Sequence, residues 1–311
     1  MTNNYAIVSD IVCDLPKDLQ DRFGIDGTLK GYISTPEAED TEARLDLSDA
    51  ELDAFYKSLK ANPNGYKTAA LGVEAVTSYF ETFLREGRDI LALCISSKIS
   101  VTYNVMTCAA KQLLEKYPER KIAVVDSRKY SSALGLLVIK AAELRASGLS
   151  LTENAEKLET IRKTVHQMGS VDDLLWIASR GRISHAKAFF GTIAGIKAMG
   201  DFDTDGMVTP LAKVSGYKKA HQVAVEYIKK TIKAADEQII FVAHSARREQ
   251  AEILAKLIKE QIKPREVIIC NIYPMNGVNI GPGLCAAYYL GTEITDLQRE
   301  KEIINEVISK L

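Results

Sequence analysis

Short apolar segments alternate with amphipathic segments along most of this chain, and that alternation constrains its fold more than any other feature. The apolar segments have the length of β-strands and lie at 6–9, 90–95, 121–125, 238–242 and 267–272. Strands that alternate with helices pair in parallel and are covered by those helices. The sequence therefore predicts an α/β fold with mainly parallel sheet.

The amphipathic segments predict eight helices, because their apolar residues recur at the spacing of one helix face. Between 103 and 116, for example, Val105, Ala109 and Leu113 share a face, and Lys111 lies on another. Ser150 followed by Glu153 has the pattern of a capping box, which marks a helix start. The predicted helices lie at 48–61, 73–85, 103–116, 133–147, 151–165, 218–234, 247–262 and 297–311.

The length of the chain predicts two lobes. Its 311 residues leave room for two ordinary domains of about 150 residues each. Strand–helix units start again beyond residue 200, and the best boundary lies at 150–170. We therefore expect one lobe over residues 1–165 and another over residues 166–311.

Charge and hydropathy exclude several classes of protein. The 40 basic and 41 acidic side chains leave a formal net charge of −1, whereas a nucleic-acid-binding protein carries a basic excess on one face. The longest apolar stretches are strand-sized, short of the roughly 18 residues that span a bilayer. The start of the chain enters a strand pattern without a basic region and an apolar h-region. We expect no signal peptide, no membrane anchor, no nucleic-acid partner and a cytoplasmic location.

The five cysteines are scattered and show no CxxC spacing, so we expect reduced packing cysteines and no zinc site. A phosphate-binding GxxxxGK[ST] loop, an HExxH motif and a GxSxG motif are absent from the sequence as well. The sequence thus predicts neither a metal site nor one of these common catalytic sites.

A cluster of hydroxyl side chains follows the strand at 90–95. Ser96, Ser97, Ser100 and Thr102 lie between that strand and the helix that begins at Tyr103. The N–H groups at a helix start lack helical partners and favour an anion, to which serine hydroxyls add hydrogen bonds. Ser100 or Thr102 as a simple helix cap explains the cluster equally well.

Two further loops have the composition of ligand-binding loops. The glycines Gly277, Gly281 and Gly283 let the backbone approach a ligand closely, although a plain tight turn is the more frequent use of such a segment. Arg180 and Arg182 flank a glycine and suit carboxylate or phosphate capture, a salt bridge between lobes, or an exposed structural role.

Three aspartates, Asp10, Asp14 and Asp126, lie just past strand ends. Carboxylates in these positions can bind a metal or act as general bases, but capping of the following helix is the simpler interpretation. An enzyme that uses Ser97 or Asp126 on a small anionic substrate stays open as an alternative. The sequence identifies no base beside Ser97.

Taken in order, several segments resemble the motifs of the DegV-like family of bacterial fatty-acid-binding proteins. The resemblance spans nearly the whole chain, and the order of the motifs is more specific than any single motif. The matching segments are Ile7-Val8-Ser9-Asp10, Asp14-Leu15-Pro16, Ile95-Ser96-Ser97, Val124-Val125-Asp126-Ser127, Gly181-Arg182-Ile183-Ser184, Asp205-Gly206, Lys213-Val214, His244 and Gly281-Pro282-Gly283.

This resemblance implies a two-lobed α/β protein that binds one long-chain fatty acid or a related acyl lipid between its lobes. The N-terminal lobe would have a mainly parallel sheet flanked by helices and would carry the loops that hold the carboxyl group. The second α/β lobe would contribute the acyl-chain pocket. The family resemblance implies a carrier and not an enzyme, with no cofactor. It also implies a partner, a fatty acid kinase subunit that receives the acyl carboxylate.

Carried onto this chain residue by residue, the resemblance assigns the carboxylate to Thr68, Ser97, Ser96 and Asn279. The loops that support them contain Gly281, Gly283 and Arg182. Part of the tail tunnel is predicted at Phe189, Phe190, Ile193 and Ile196, which ordinary core packing explains at least as well.

The chain departs from the family pattern at positions that bear on its partners. Asn279 stands where the family has histidine, and Val101 stands where the family has glycine. Ser215 replaces an arginine in a region associated with the kinase subunit. A divergent lipid carrier without a kinase partner is therefore an alternative to a kinase-linked carrier.

Overall fold

The computed structural model describes residues 4–183, 195–295 and 297–311 of the chain. The chain forms two compact units, each built around its own main sheet. Unit 1 comprises Met1–Leu47 and Asn64–Arg162, and unit 2 comprises Ser48–Pro63 and Lys163–Leu311.

Strands and helices alternate along the described chain. The strands are β1 (Tyr5–Asp10), β2 (Gly27–Leu29), β3 (Tyr32–Ser34), β4 (Thr41–Glu42), β5 (Lys67–Ala69), β6 (Asp89–Cys94), β7 (Ile122–Asp126), β8 (Val165–Val171), β9 (Ile196–Phe202), β10 (Val208–Ser215), β11 (Ile239–His244), β12 (Glu266–Asn271) and β13 (Leu284–Leu290). The helices are α1 (Lys17–Phe23), α2 (Asp49–Ala61), α3 (Val73–Arg85), α4 (Thr102–Lys116), α5 (Ser131–Ala146), α6 (Leu151–Ile161), α7 (Leu174–Ser179), α8 (Gly216–Thr231), α9 (Arg248–Gln261), α10 (Pro274–Ile280) and α11 (Gln298–Ser309).

The main sheet of unit 1 is fully parallel, with strand order β2-β1-β6-β7. Ala6 and Val8 of β1 share a core with Phe80 of α3 and Met106 of α4. Successive strand residues face opposite sides, and α5 and α6 contact the strands from the other side. The predicted parallel sheet flanked by helices in the N-terminal lobe is confirmed. Three of its strands, β1, β6 and β7, were predicted as apolar segments because both faces of the sheet are covered. The short edge strand β2 was not predicted.

A second, smaller sheet of unit 1 is antiparallel, with strand order β4-β3-β5. Its strands are only two or three residues long, too short to produce a periodic pattern in the sequence. Thr68 lies in this sheet, opposite Ile33 of β3.

The sheet of unit 2 has six strands in the order β10-β9-β8-β13-β11-β12, and helices such as α8 and α9 contact it. The predicted second α/β lobe is therefore confirmed. Only β11 and β12 pair in parallel, and the other neighbours are antiparallel. The expectation of mainly parallel sheet holds for the large sheet of unit 1 and not for this one.

Helix α2 is followed and preceded by residues of unit 1 but packs within unit 2. Its Tyr56 hydroxyl donates to the carbonyl oxygen of Ile272 at 2.7 Å, and Leu52 and Leu59 are buried with it. This arrangement differs from the continuous ranges 1–165 and 166–311 expected from the sequence. The apolar face of α2 is covered by residues more than 200 positions away.

Two of the described helices, α2 and α6, begin with a capping box. At Ser150 the side chain accepts from the backbone N–H of Glu153, while the Glu153 carboxylate accepts from the backbone N–H of Ser150, as predicted. Ser48 and Glu51 form the same box at the start of α2. The helix predicted over 151–165 ends earlier, because Val165 already begins β8. None of the helices described is long and apolar enough to cross a membrane.

Candidate functional site

The candidate site lies where the strand order of the large parallel sheet reverses, at the carboxyl ends of β1 and β6. From β1 the chain goes to β2 on one side and later to β6 on the other. Ligands of open parallel sheets bind at such a point, outside the carboxyl ends of the strands. Five side chains of unit 1 lie at the ends of β1 and β7, in the loop after β6 or at the first residue of α4. We call them the strand-end cluster: Asp10, Ser96, Ser97, Thr102 and Asp126.

Ser97 and Asp126 are joined by two hydrogen bonds. The Ser97 hydroxyl donates to Oδ2 of Asp126 at 2.6 Å, and the Ser97 backbone N–H donates to Oδ1 at 3.2 Å. The backbone N–H of Arg128 donates to the same Oδ1 at 2.9 Å. Asp126 therefore accepts three hydrogen bonds and orients the Ser97 hydroxyl, which lies on an exposed residue.

The position of Asp126 is set by the sheet. It is the last residue of β7 and lies opposite Cys94, the last residue of β6, so the loop that starts at Ile95 begins beside it. Arg162 donates from Nη1 to the carbonyl oxygen of Asp126 at 2.5 Å and pairs with Glu159. These contacts hold the carboxylate next to the loop that carries Ser97.

Asp10 is buried at the end of β1, and its carboxylate accepts from the backbone N–H of Val12 at 3.3 Å. It also receives hydrogen bonds from the Thr102 side chain and from the backbone of Ile95. Burial raises the pKa of the Asp10 carboxyl group to about 6, although these hydrogen bonds act in the opposite direction. The sequence interpretation of Asp10 as a cap is confirmed, here for a single 3₁₀ turn over Ile11–Cys13.

Asp14 does not cap the following helix. Its Oδ2 accepts from the hydroxyl of Ser131, at the start of α5, at 2.5 Å. The backbone of Asp14 is left-handed, with φ of 53°. Both residues are buried, so this bond joins the end of the β1 loop to α5.

The other hydroxyl groups of the loop are used locally. Ser96 is buried, and its Oγ accepts from the backbone N–H of Lys98 at 3.3 Å. Ser100 Oγ accepts from the backbone N–H of Thr102 at 3.3 Å and lies 2.8 Å from the Thr102 hydroxyl. Ser100 thus serves one N–H group at the start of α4, although Val101 occupies the N-cap position and makes no side-chain cap hydrogen bond. Ser97 instead bonds to a different strand end.

Thr68, the other predicted carboxylate ligand of unit 1, is half-buried on β5. It belongs to the small antiparallel sheet and not to the sheet that carries the strand-end cluster. Leu71, three residues later, packs against the core formed by α3 and α4. The role of Thr68 at the head group of a ligand stays a prediction.

The segment 276–283 in unit 2 is not a loop throughout, contrary to the sequence interpretation. Helix α10 includes Asn279, whose Nδ2 lies 3.4 Å from the carbonyl oxygen of Met275, one turn earlier. Gly277 is required by packing, because a Cβ there would lie 2.7 Å from the Tyr56 hydroxyl oxygen. An Asn-Gly-containing segment therefore continues as a helix once α2 covers it.

The turn after α10 depends on two glycines with positive φ. Gly281 has φ of 74° and lies against the ring of Trp176, and Gly283 has φ of 110° and lies against Asp172. Trp176 Nε1 donates to the carbonyl oxygen of Val278 at 3.1 Å. The tight-turn interpretation of these glycines is thus supported, and a ligand-binding role for them stays a prediction.

Arg182 is exposed and donates to the carbonyl oxygen of Arg180. Arg180 itself lies over the Trp176 ring at 5.6 Å and donates to the carbonyl oxygen of Pro63 at 2.6 Å. The structural interpretation of this arginine pair gains support from these contacts. Of the predicted tail residues, Ile196 begins β9 and is half-buried, while 189, 190 and 193 lie outside the described residues.

A charged group in unit 2 was missed by the sequence analysis. Asp172, just after β8, accepts hydrogen bonds from Lys197 at 2.5 Å, from Tyr217 at 2.6 Å and from Arg247. Burial acts to raise the pKa of Asp172, but these three donors outweigh it and hold the pKa below its ordinary value. A carboxylate just past a strand end was the available signal, as it was for Asp10 and Asp126.

Comparison with known proteins identifies the family. A family model described as "Uncharacterised protein, DegV family" matches residues 4–292. A DegV domain-containing protein of Clostridium perfringens is 32% identical over 291 residues, which cover 92% of this chain and 97% of that protein.

Solved structures share the fold. A DegV family protein from Thermus thermophilus, described by its fatty acid binding, superposes with a TM-score of 0.82 at 22% identity, covering 93% of this chain and 100% of that one. The fatty acid kinase B3 protein of Streptococcus pneumoniae, loaded with linoleic acid, superposes with a TM-score of 0.75 at 21% identity, covering 94% and 100%. The resemblance seen in the sequence motifs is confirmed, and the chain belongs to the DegV family.

Proposed function

We propose that this chain binds one long-chain fatty acid, or a related acyl lipid, as a carrier without catalytic activity and without a cofactor. The observation that supports this most strongly is the full-length match to proteins described as binding fatty acids, such as the one from Thermus thermophilus. The carrier would act in the cytoplasm. Its carboxyl-binding residues would be Thr68, Ser97 and Ser96, with a contribution from Asn279.

The strand-end cluster supports this assignment chemically. An exposed serine held in one orientation, at the carboxyl edge of a parallel sheet, can fix the head group of a ligand. The tail would supply most of the affinity, at about 0.8 kcal/mol for each buried CH₂ group, or roughly 10 kcal/mol for a C16 chain before the costs of binding. The polar cluster would then set orientation more than affinity.

Calorimetric titration of delipidated protein with two acids tests the proposal. We expect palmitate to bind with one molecule per chain and butyrate to show no binding, because the short acid has the head group but almost no tail. Absence of palmitate binding would contradict a fatty-acid carrier. Binding of butyrate as tightly as palmitate would show that the tail contributes nothing.

An enzyme acting on a small anionic substrate is a second candidate, favoured by one observation. The Ser97 hydroxyl and the Asp126 carboxylate, which the sequence could not connect, lie 2.6 Å apart, the separation expected of a nucleophile and a base. Small-anion binding and a turnover that disappears in the Ser97→Ala variant would favour this candidate over the carrier.

A kinase partner forms the finer part of the proposal. The match to the fatty acid kinase B3 protein of Streptococcus pneumoniae supports presentation of the acyl carboxyl group to a kinase subunit. Ser215, the exposed last residue of β10, stands where the family resemblance places an arginine, which supports a carrier without that partner. Palmitate-loaded protein mixed with the host's kinase subunit and ATP distinguishes the two. Palmitate-dependent release of ADP indicates presentation to the kinase, and its absence indicates a carrier alone.

A further inference from the structure

The hydroxyl group of Ser97 has a single hydrogen, and the short distance to the Asp126 carboxylate assigns that hydrogen to Asp126. The Ser97 oxygen is 2.6 Å from Oδ2, and the other oxygen of the carboxylate is already occupied by the N–H groups of Ser97 and Arg128. A carboxylate accepts hydrogen bonds and donates none. Ser97 can therefore offer only its lone pairs to a ligand on its exposed side.

The carboxylate cannot easily turn away to release the hydroxyl group. Asp126 is the last paired residue of β7, and its own carbonyl oxygen is held by Arg162. Turning the side chain would break two bonds to backbone N–H groups as well as the bond to Ser97. Each of these bonds contributes about 0.5–1.5 kcal/mol.

An ionised acyl carboxylate placed at Ser97 would face lone pairs and, behind them, the negative charge of Asp126. The ionised ligand is disfavoured at this position, because one serine hydrogen cannot serve two carboxylates and because like charges repel. A neutral carboxylic acid fits instead, because its O–H can donate to Ser97 while Ser97 donates to Asp126.

We propose that the acyl ligand is bound as its neutral acid, with the ligand O–H donating to Ser97, and that Asp126 is the positioning residue that imposes this choice. The inference rests on the proposed function. It makes binding of a fatty acid proton-linked, and it extends the range of ligands to acyl chains whose head groups are neutral donors, such as a primary alcohol.

Other ionisable groups surround this pair. Those on the adjoining strands, loops and helix are Asp10, Cys94, Lys98, Arg128, Lys129, Glu159 and Arg162. Arg162 is paired with Glu159. Lys98 is exposed, so solvent screens its charge. Burial raises the pKa of Asp10 to about 6 and the pKa of Cys94 well above its ordinary value. Above pH 7, therefore, Asp10 is ionised and Cys94 stays neutral.

The test compares hexadecanoic acid with hexadecan-1-ol on the unmodified protein between pH 7 and pH 9. An aliphatic carboxyl group has a pKa of about 4.3 in water, with the glutamate side chain as reference. The neutral fraction of the acid therefore falls about tenfold for each pH unit in this range. We expect the dissociation constant of the acid to rise about tenfold per pH unit and that of the alcohol to stay constant.

The Asp126→Asn variant removes the charge and keeps the shape. Its amide N–H can donate to Ser97, which frees the serine hydrogen for the ligand, so we expect carboxylate binding with no pH dependence from pH 7 to pH 9. Asp89→Asn is the matched control, because Asp89 lies at the other end of the same sheet and also accepts a backbone N–H, that of Lys121 at 3.0 Å. It should retain the pH dependence of the unmodified protein.

Constant affinity of the unmodified protein for hexadecanoic acid across pH 7–9 would overturn the inference and leave the proposed function intact. Failure of both the acid and the alcohol to bind at any pH would instead contradict the proposed function. The comparison of two ligands on the unmodified protein decides the matter even where Asp126→Asn does not fold.

Discussion

Ser97 and Thr68 are the two hydroxyl-bearing residues to which the proposed function assigns the head group most directly. Each neutral hydrogen bond contributes about 0.5–1.5 kcal/mol. We therefore expect Ser97→Ala combined with Thr68→Ala to raise the dissociation constant of palmitate by roughly 5-fold to 150-fold at pH 7. The tail should keep the stoichiometry at one molecule per chain.

Ser100→Ala is the matched control for this measurement, since Ser100 lies in the same loop but pairs with Thr102. The affinity of the Ser100→Ala variant for palmitate should equal that of the unmodified protein. A fluorescence competition assay measures the affinities of all three proteins. Equal affinity of the double variant and the unmodified protein would show that the head group lies elsewhere.

Asp10 makes stability depend on pH. Burial raises the pKa of its carboxyl group from 3.8 to about 6 in the folded chain. Between these values the folded chain holds a proton that the unfolded chain has released, so the free energy of unfolding decreases as the pH rises through this window. The full effect is about 3 kcal/mol at most. Above pH 6 the charged group remains as a cost to the fold.

Asp10→Asn should remove this pH dependence. The quantity to compare is the free energy of unfolding of the variant minus that of the unmodified protein. We expect this difference to be about 1–3 kcal/mol larger at pH 7 than at pH 4.5. Urea unfolding of both proteins at the two pH values measures this difference. The variant also loses a hydrogen-bond acceptor for the backbone N–H of Val12, but that loss is the same at both pH values and cancels. The same difference at both pH values would show that Asp10 titrates normally.

At the scale of elements, the packing of α2 on α10 depends on one glycine. A Cβ at position 277 would lie 2.7 Å from the Tyr56 hydroxyl oxygen and 2.9 Å from a ring carbon of Phe55. We expect Gly277→Ala to lower the free energy of unfolding by about 1–3 kcal/mol, the usual cost of overpacking. Thermal and urea unfolding of the variant measure this loss.

Gly72→Ala provides the comparison, because a Cβ at that position meets nothing within 4 Å and the backbone φ is −76°. Gly72 is the N-cap residue of α3, and the change should cost less than about 1 kcal/mol, because alanine is a poorer N-cap than glycine but also restricts the unfolded chain. Equal stability of the two variants would mean that α2 does not press against α10 as the structure indicates.

The strands that the sequence predicted well are those whose apolar pattern follows directly from burial. Strands β1 and β11 are buried throughout, β6 is buried except at its first residue, and all three consist mostly of apolar residues. By contrast, β8 is equally buried but contains His166 and Gln167. The His166 ring lies 2.5 Å from Asp201, whose other oxygen accepts the backbone N–H of Gln167 at 2.8 Å. Because polar side chains that bond to one another can be buried, a strand such as β8 is buried without being apolar. A hydropathy pattern therefore does not reveal it.

The sequence predicted which residues gather at the candidate site but not the hydrogen bonds between them. Clustering of Ser97 and Asp126 past the ends of neighbouring strands follows from parallel pairing, but the direct bond between two residues 29 positions apart does not. Asn279 was misassigned to a loop because Asn and Gly favour turns. The aromatic residues of α2 that cover this segment are more than 200 positions away in the chain.

At the scale of the whole molecule, the chain joins two units that each have their own main sheet, and it contributes one helix, α2, from within the range of unit 1 to unit 2. Truncation at residue 162 would therefore leave α2 without Ile272, the partner of Tyr56, and would remove β8 onward.

Mass spectrometry of the ligand that copurifies with the recombinant full-length protein tests the proposed function most directly. Native spectra should show one additional mass per chain, and organic extraction should release it as a long-chain fatty acid or a related acyl lipid. Delipidated protein should regain one molecule of added palmitate. A protein that carries no acyl lipid when purified and takes up no palmitate afterwards would contradict a fatty-acid carrier.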